Sequence, residues 1–337
     1  MDLLIVILLF VLGLVLIVKG GDFFVDAATW IAEVSGMPKF LIGATVVSLA
    51  TTLPEMIVSI MASLEGKALI ANPATSAEGL QMVGMGIGNA VGSVTANTAL
   101  IMGIAIMCLP FAFNRKQYTG KISMLLIAAA ALPLFCMTGK FTFIGAIALL
   151  IISVVFIIEN IRSAKSQKAQ PDEAVIITKK IVAVNIIKFI AGAAGIIIGA
   201  RLLVDNGSEL ARYLKIPESI IGLTVIAIGT SLPELVTMII SVRKKQVALS
   251  VGNIIGANII DLTTILPICA IVSGGAIPVV KQSYMLDMPI CLLVAAIMLV
   301  PALIKGQFRR WQGITTIAIY VIYILFVSFY PVATLFA

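Results

Sequence analysis

One fourteen-residue pattern occurs twice in this chain, and it constrains the fold more than any other feature. IGATVVSLATTLPE (Ile42–Glu55) and IGLTVIAIGTSLPE (Ile221–Glu234) share eight identities at an offset of 179. The same offset pairs Gly20 with Gly199, Val25 with Val204, Asp26 with Asp205 and Pro38 with Pro217. Further on, GNAVGS (Gly88–Ser93) answers GNIIGA (Gly252–Ala257) at an offset of 164. The first half therefore carries fifteen additional residues, within LEGKALIANPATSAEGLQ. The chain is a doubled one.

What is doubled is apolar. Hydrophobic residues make up 61% of the chain and charged ones 12%, half the share of a soluble domain. Stretches long enough to span a bilayer lie near 2–19, 40–62, 83–111, 119–137 and 141–161. The second half repeats the count near 181–204, 219–242, 249–271, 284–304 and 312–333. The first stretch follows Asp2 and lacks a cleavage site, so it reads as a retained helix. Alternate loops hold fifteen Lys and Arg against five, which assigns the richer set to the cytoplasm and both termini to the outside of a cell membrane. The net charge of +7 has this explanation, and no basic recognition helix points to nucleic acid. Five spans per half force the halves to enter the membrane in opposite senses. The expected fold is an all-α polytopic membrane protein of ten transmembrane helices in two inverted repeats, an architecture of transporters. Residues 1–162 form the first repeat, 163–180 a cytoplasmic linker and 181–337 the second repeat. No obligatory protein partner is evident beyond the lipid bilayer.

Three carboxylates sit where a bilayer centre is expected. Glu55, Glu234 and Asp261 each have about ten or more apolar-rich positions on either side. Each costs about 2.5–3.5 kcal/mol at that depth, and no Lys or Arg stands level with them. Protonation or hydrogen bonding within the bundle accounts for a single such acid. A repeat-related pair plus a third points to bound cations. The four cysteines are scattered without CxxC spacing and histidine is absent, which disfavours zinc, copper and other soft-metal sites.

The prolines supply further ligands. Pro54 and Pro233 lack an N–H, so each frees carbonyls about four residues back, near Ala50 and Thr51 or Gly229 and Thr230. Thr51, Thr52, Thr230 and Ser231 add hydroxyls there. Such an oxygen set suits a hard cation, and calcium, with 6–8 ligands in flexible geometry, suits it better than magnesium. Two emptied glutamates repel one another, so another cation or a proton has to replace a departing ion. In the third and eighth spans, Ser93, Asn97, Asn253 and Asp261 repeat at helical spacing and share a face. Asn97 and Asp261 are read as lining the site, with Asn89 and Asn253 either lining it or bridging helices. The glycines beside them, at four-residue spacing, read as packing devices.

ATTLPE with GNAVGSVTAN, and GTSLPE with GNIIGANIID, resemble the two alpha-repeats of the cation/calcium exchanger superfamily, in its prokaryotic sodium/calcium exchanger branch. The resemblance covers nearly the whole chain, VKGGDFFVDAA (Val18–Ala28) included. It implies alternating access, with calcium and sodium competing for overlapping sites and no cofactor. The implied calcium ligands are the carboxylates of Glu55 and Glu234 and the carbonyls of Thr51 and Thr230. The implied sodium or shared positions add the carbonyls of Ser48 and Ala227, the hydroxyls of Thr52, Ser93 and Ser231, and the polar groups of Asn97 and Asp261.

The chain departs from that pattern in places. Ala257 stands where the second repeat usually has serine, Val94 where asparagine is expected, and Ser48 where alanine is common. The fifteen-residue insertion, with Glu65 and Glu78, reads as a solvated loop. The leading expectation is sodium/calcium antiport; the alternative is a proton/calcium exchanger, since two glutamates suffice as proton carriers. An aspartyl-type enzyme needs two aspartates sharing a proton, and the pair here is glutamate, so no enzymatic activity is expected.

Overall fold

The computed structural model describes residues 3–166, 178–213, 231–279 and 281–329. In the first part of the chain the helices are α1 (Leu3–Ser35), α2 (Lys39–Ile42), α3 (Ser48–Ile70), α4 (Ser76–Ala96), α5 (Met102–Cys108), α6 (Arg115–Cys136) and α7 (Phe143–Ser166). Then come α8 (Lys179–Tyr213), α9 (Leu232–Arg243), α10 (Val247–Ile260), α11 (Leu266–Val272), α12 (Met288–Lys305) and α13 (Arg310–Phe329). Two three-residue strands, β1 (Lys140–Thr142) and β2 (Ala276–Pro278), pair antiparallel.

Among the described residues, eight helices are long and apolar enough to cross a membrane, and a ninth span is the pair Lys39–Leu53 and Glu55–Ile70. This is a multi-pass helical membrane protein. The tenth expected stretch, 219–242, starts outside the described residues and continues as α9.

Three features of the fold go beyond the sequence pattern. The first apolar stretch, near 2–19, belongs to a longer helix that continues to Ser35. Gly20 and Gly21 permit this, because α8 and α9 approach the helix closely there. A Cβ on Gly20 would lie 2.9 Å from the Gly192 carbonyl oxygen, and one on Gly21 would run into the Ile240 side chain. Further along, the Lys244 ammonium lies 2.8 Å from Asp26 and 3.3 Å from Asp22, which fixes this end of α1 to the α9–α10 turn. The fifteen-residue insertion forms no solvated loop; it lengthens α3 and α4. These meet where a Cβ on Gly79 would lie 2.6 Å from the Gly66 oxygen, and a short turn at 71–75 joins them, held by Thr75 Oγ1 donating to the Leu69 carbonyl. Glu65 is exposed on the extended helix. Finally, Pro54 bends α3 by 53° without unwinding it, a kink of the kind proline imposes when it removes one ladder hydrogen bond.

The helices also carry π-helical turns at Gly43–Val47, Asn97–Ile101, Asp261–Ile265 and Ser283–Asp287. Two of them, starting at Asn97 and Asp261, stand at the 164 offset of the sequence repeat. Single π turns inside α-helices concentrate at functional sites, because the extra residue leaves the i→i−4 ladder locally out of register.

The chain divides into two compact units. One comprises residues 1–51 with 164–253, the other 52–163 with 254–337. In the first, α1 packs along α8, and the core holds Ile17, Phe24, Val25, Ile42, Val47, Ile196 and Leu249. In the second, α5 packs on α13 and α12 on α6. There the amide of Gln312, near the start of α13, donates to the Met298 carbonyl at 2.7 Å and so ties α13 to α12.

Candidate cation site

In the unit holding residues 52–163 and 254–337, the chemistry gathers around Glu55. It lies on α3 one residue past the bend and is buried at 2% exposure. Ser93 Oγ of α4 donates to Glu55 Oε1 at 3.1 Å. One turn on, Asn97 Nδ2 reaches Ser93 Oγ at 3.4 Å and Asn258 Oδ1 at 3.2 Å. Asn258 Nδ2 in turn donates to Thr98 Oγ1 at 2.8 Å. With both amide hydrogens directed in this way, Asn97 Oδ1 is left without a donor among the described residues, an oxygen held for something else. Thr52 and Asp261 are buried in the same unit, Asp261 as the first residue of its π turn. Asn89 is half-buried and donates to Ser59 Oγ at 3.2 Å, so in this structure it bridges α4 to α3.

The other unit, residues 1–51 and 164–253, gathers its polar groups around Glu234, which is fully buried in the first turn of α9. Thr51 lies beside it, but its hydroxyl faces the Ser48 carbonyl at 3.3 Å and Asn253 Oδ1 at 3.1 Å. No donor in hydrogen-bond geometry reaches either Glu234 oxygen among the described residues. Ser48 is buried and donates to the Thr45 carbonyl at 3.1 Å, so its side chain is turned back onto its own helix. Ser231 is buried where α9 begins; its carbonyl receives the Leu235 N–H, and its hydroxyl does not cap the helix. Thr230 and Ala227 lie outside the described residues.

Each expected ligand within the described residues is thus buried, except half-buried Asn89. Among the described residues no three Asp, Glu, Cys or His side chains cluster, so the oxygens on offer are single carboxylates ringed by hydroxyls, amides and carbonyls. That donor set takes hard cations.

Asn258 is the participant that sequence reasoning passed over. The 164 offset places it opposite Val94, and it is the amide in GNIIGANIID whose counterpart is apolar. That mismatch was the available signal. Ser59 was missed as well, because a serine in an apolar helix gives no sign of its partner.

Comparison with known proteins places this chemistry in a lineage. Residues 5–161 and 184–329 match the model of the sodium/calcium exchanger protein family. The chain belongs to that family. Each matched segment of this family member carries one copy of the fourteen-residue pattern, apart from the few residues between them. Among its relatives, the inner membrane protein YrbG of Escherichia coli is 33% identical over 298 residues, 86% of each chain. The sodium/calcium exchanger MaX1 of Methanosarcina acetivorans is 29% identical, over 96% of this chain and 98% of its own. In three dimensions, the sodium-calcium exchanger NCX_Mj soaked with 2.5 mM Na+ and 10 mM Sr2+ matches with a TM-score of 0.79 at 27% identity. That match covers 96% of this chain and 99% of the other.

Proposed function

We propose that this protein is a secondary antiporter of the cell membrane that moves calcium against sodium by alternating access, with ten helices in inverted halves and both termini outside. The observation that carries the reading is the pair Glu55 and Glu234. They are repeat-related carboxylates, both buried, each beside hydroxyl or amide oxygens. Calcium takes both carboxylates with the carbonyls of Thr51 and Thr230. Sodium takes positions that add Ser48, Thr52, Ser93, Asn97, Ala227, Ser231 and Asp261. The named exchange activities of MaX1 and NCX_Mj support the same assignment.

The test is calcium uptake into calcium-free proteoliposomes loaded with sodium, compared with an imposed proton gradient without sodium. Uptake driven by outward sodium is expected, and uptake driven by protons alone overturns the sodium coupling.

A specific asymmetry keeps the proton-coupled reading in view. Ser93 donates to Glu55, whereas its repeat counterpart Ala257 is fully buried and has no hydroxyl to offer. Ala257→Ser is therefore expected to raise the apparent sodium affinity by about fivefold, the equivalent of one ordinary hydrogen-bonding contribution of ~1 kcal/mol. Sodium dependence of uptake in the variant checks it. An unmoved half-saturation value means that residue 257 does not face sodium.

A further inference from the structure

Hydroxyls buried in membrane helices ordinarily donate to the carbonyl one turn back. This protein follows the rule at Thr45 to Leu41 (2.7 Å), Ser63 to Ser59 (2.8 Å), Thr95 to Val91 (2.7 Å) and Thr263 to Ile259 (2.6 Å). Two residues of α9 break it. Thr237 and Ser241 are each at 0% exposure, and neither hydroxyl has a hydrogen-bond partner among the described residues. Neither reaches the backbone of its own helix, so both are turned into the interior of the protein.

Their placement is ordered. Positions 234, 237 and 241 fall within about 60° of one another around an α-helix of 3.6 residues per turn. Glu234, itself unpartnered among the described residues, therefore heads a line of buried oxygens running along one face of α9. The line ends two residues before Arg243 and three before Lys244, in the positively charged loop that the charge bias assigns to the cytoplasm. The other repeat carries a comparable ladder below Glu55, but a closed one. Ser59 Oγ accepts from Asn89, and Ser63 donates to the Ser59 carbonyl. Unpaired buried hydroxyls are costly, and packing alone is met as well by Val and Ala, the residues at the repeat-equivalent positions 58 and 62.

From this we infer that Thr237 and Ser241 form the cytoplasmic access path to Glu234, their hydroxyls replacing part of the hydration shell of a passing sodium or calcium ion. Oxygen ligands presented in succession let a cation enter and leave without being held, as pore linings do. The assignment rests on the cation-transport reading above but not on which counter-ion is used.

The experiment combines Thr237→Val with Ser241→Ala, shape-conserving losses of the two hydroxyls. Turnover of calcium exchange in proteoliposomes is expected to fall at least tenfold, with equilibrium calcium-45 binding in detergent within twofold of the parent. Unchanged turnover overturns the proposal, and so does a parallel loss of binding and turnover, which makes the pair part of the binding site or of the fold. A second variant guards against a folding artefact. Ser241→Cys is expected to react, in inverted vesicles, with a cationic membrane-impermeant methanethiosulfonate from the cytoplasmic side, above the parent with its four native cysteines. Calcium is expected to slow that reaction, and no reaction overturns the path. If the parent proves to exchange calcium for protons, the sodium reading fails, whereas the labelling result still decides the path.

Discussion

Glu234→Gln and Glu55→Gln are each expected to abolish calcium transport, by at least about 100-fold in initial uptake, in a protein that still inserts and folds. The reason lies in charge rather than shape, since glutamine keeps the size and one carbonyl oxygen. Calcium affinity follows the number of charged ligands, and on the proposed pairing one remaining carboxylate leaves a divalent ion half-neutralised. The effect on stability goes the other way. A buried carboxylate at bilayer depth costs about 2.5–3.5 kcal/mol, which the neutral amide avoids. In calcium-free detergent, Glu234→Gln is expected to melt at or above the parent temperature, because no donor among the described residues reaches its oxygens. Calcium then raises the melting temperature of the parent and not of the variant, since a ligand stabilises only the fold that binds it. Glu55→Gln has a smaller stability gain in prospect, as its Oε1 already accepts from Ser93. Calcium uptake at the parent rate in either variant removes that glutamate from the site.

Much of this was legible in the residues because membranes simplify the code. A carboxylate among apolar residues is conspicuous, and its recurrence at a fixed offset made Glu55 and Glu234 a pair before any geometry was known. Ser93 and Asn97 followed from helical spacing, and the structure links them to Glu55 and to one another. What stayed hidden depends on partners far along the chain. The repeat pairs Gly20 with the second half and Gly21 stands beside it, but only the structure shows Gly192 and Ile240 closing on them. The insertion reads as polar punctuation, LEGKALIANPATSAEGLQ, yet Gly66 and Gly79 let it form two packed helix ends. The π turns at Asn97 and Asp261 add one residue to a turn, a change too small to disturb an apolar pattern. Where the hydroxyls of Thr237 and Ser241 point is set by the fold, and no sequence records it.

The motif glycines give the second large effect. Gly43 and Gly252 are wedged into a helix crossing. A Cβ on Gly43 would collide with the Leu249 carbonyl, and one on Gly252 with the carbonyl of Phe40. The obstacles are backbone, so no side chain can rotate away. Gly→Ala inside a helix ordinarily stabilises by roughly 0.8–1.0 kcal/mol, whereas overpacking costs about 1–3 kcal/mol. Gly43→Ala and Gly252→Ala are therefore expected to be destabilising, against the ordinary sign of that change. Function moves further than stability. Gly252 adjoins Asn253, whose Oδ1 faces the Thr51 hydroxyl at 3.1 Å. Parting the helices by half an ångström takes that contact past hydrogen-bond range. Calcium uptake in Gly252→Ala is expected to fall by about tenfold or more. Thermal unfolding followed by size-exclusion fluorescence, with uptake on the same preparations, decides it. If Gly252→Ala takes up calcium at the parent rate, the crossing does not set the geometry at Thr51, and the glycines of this family member serve only to fit helices together.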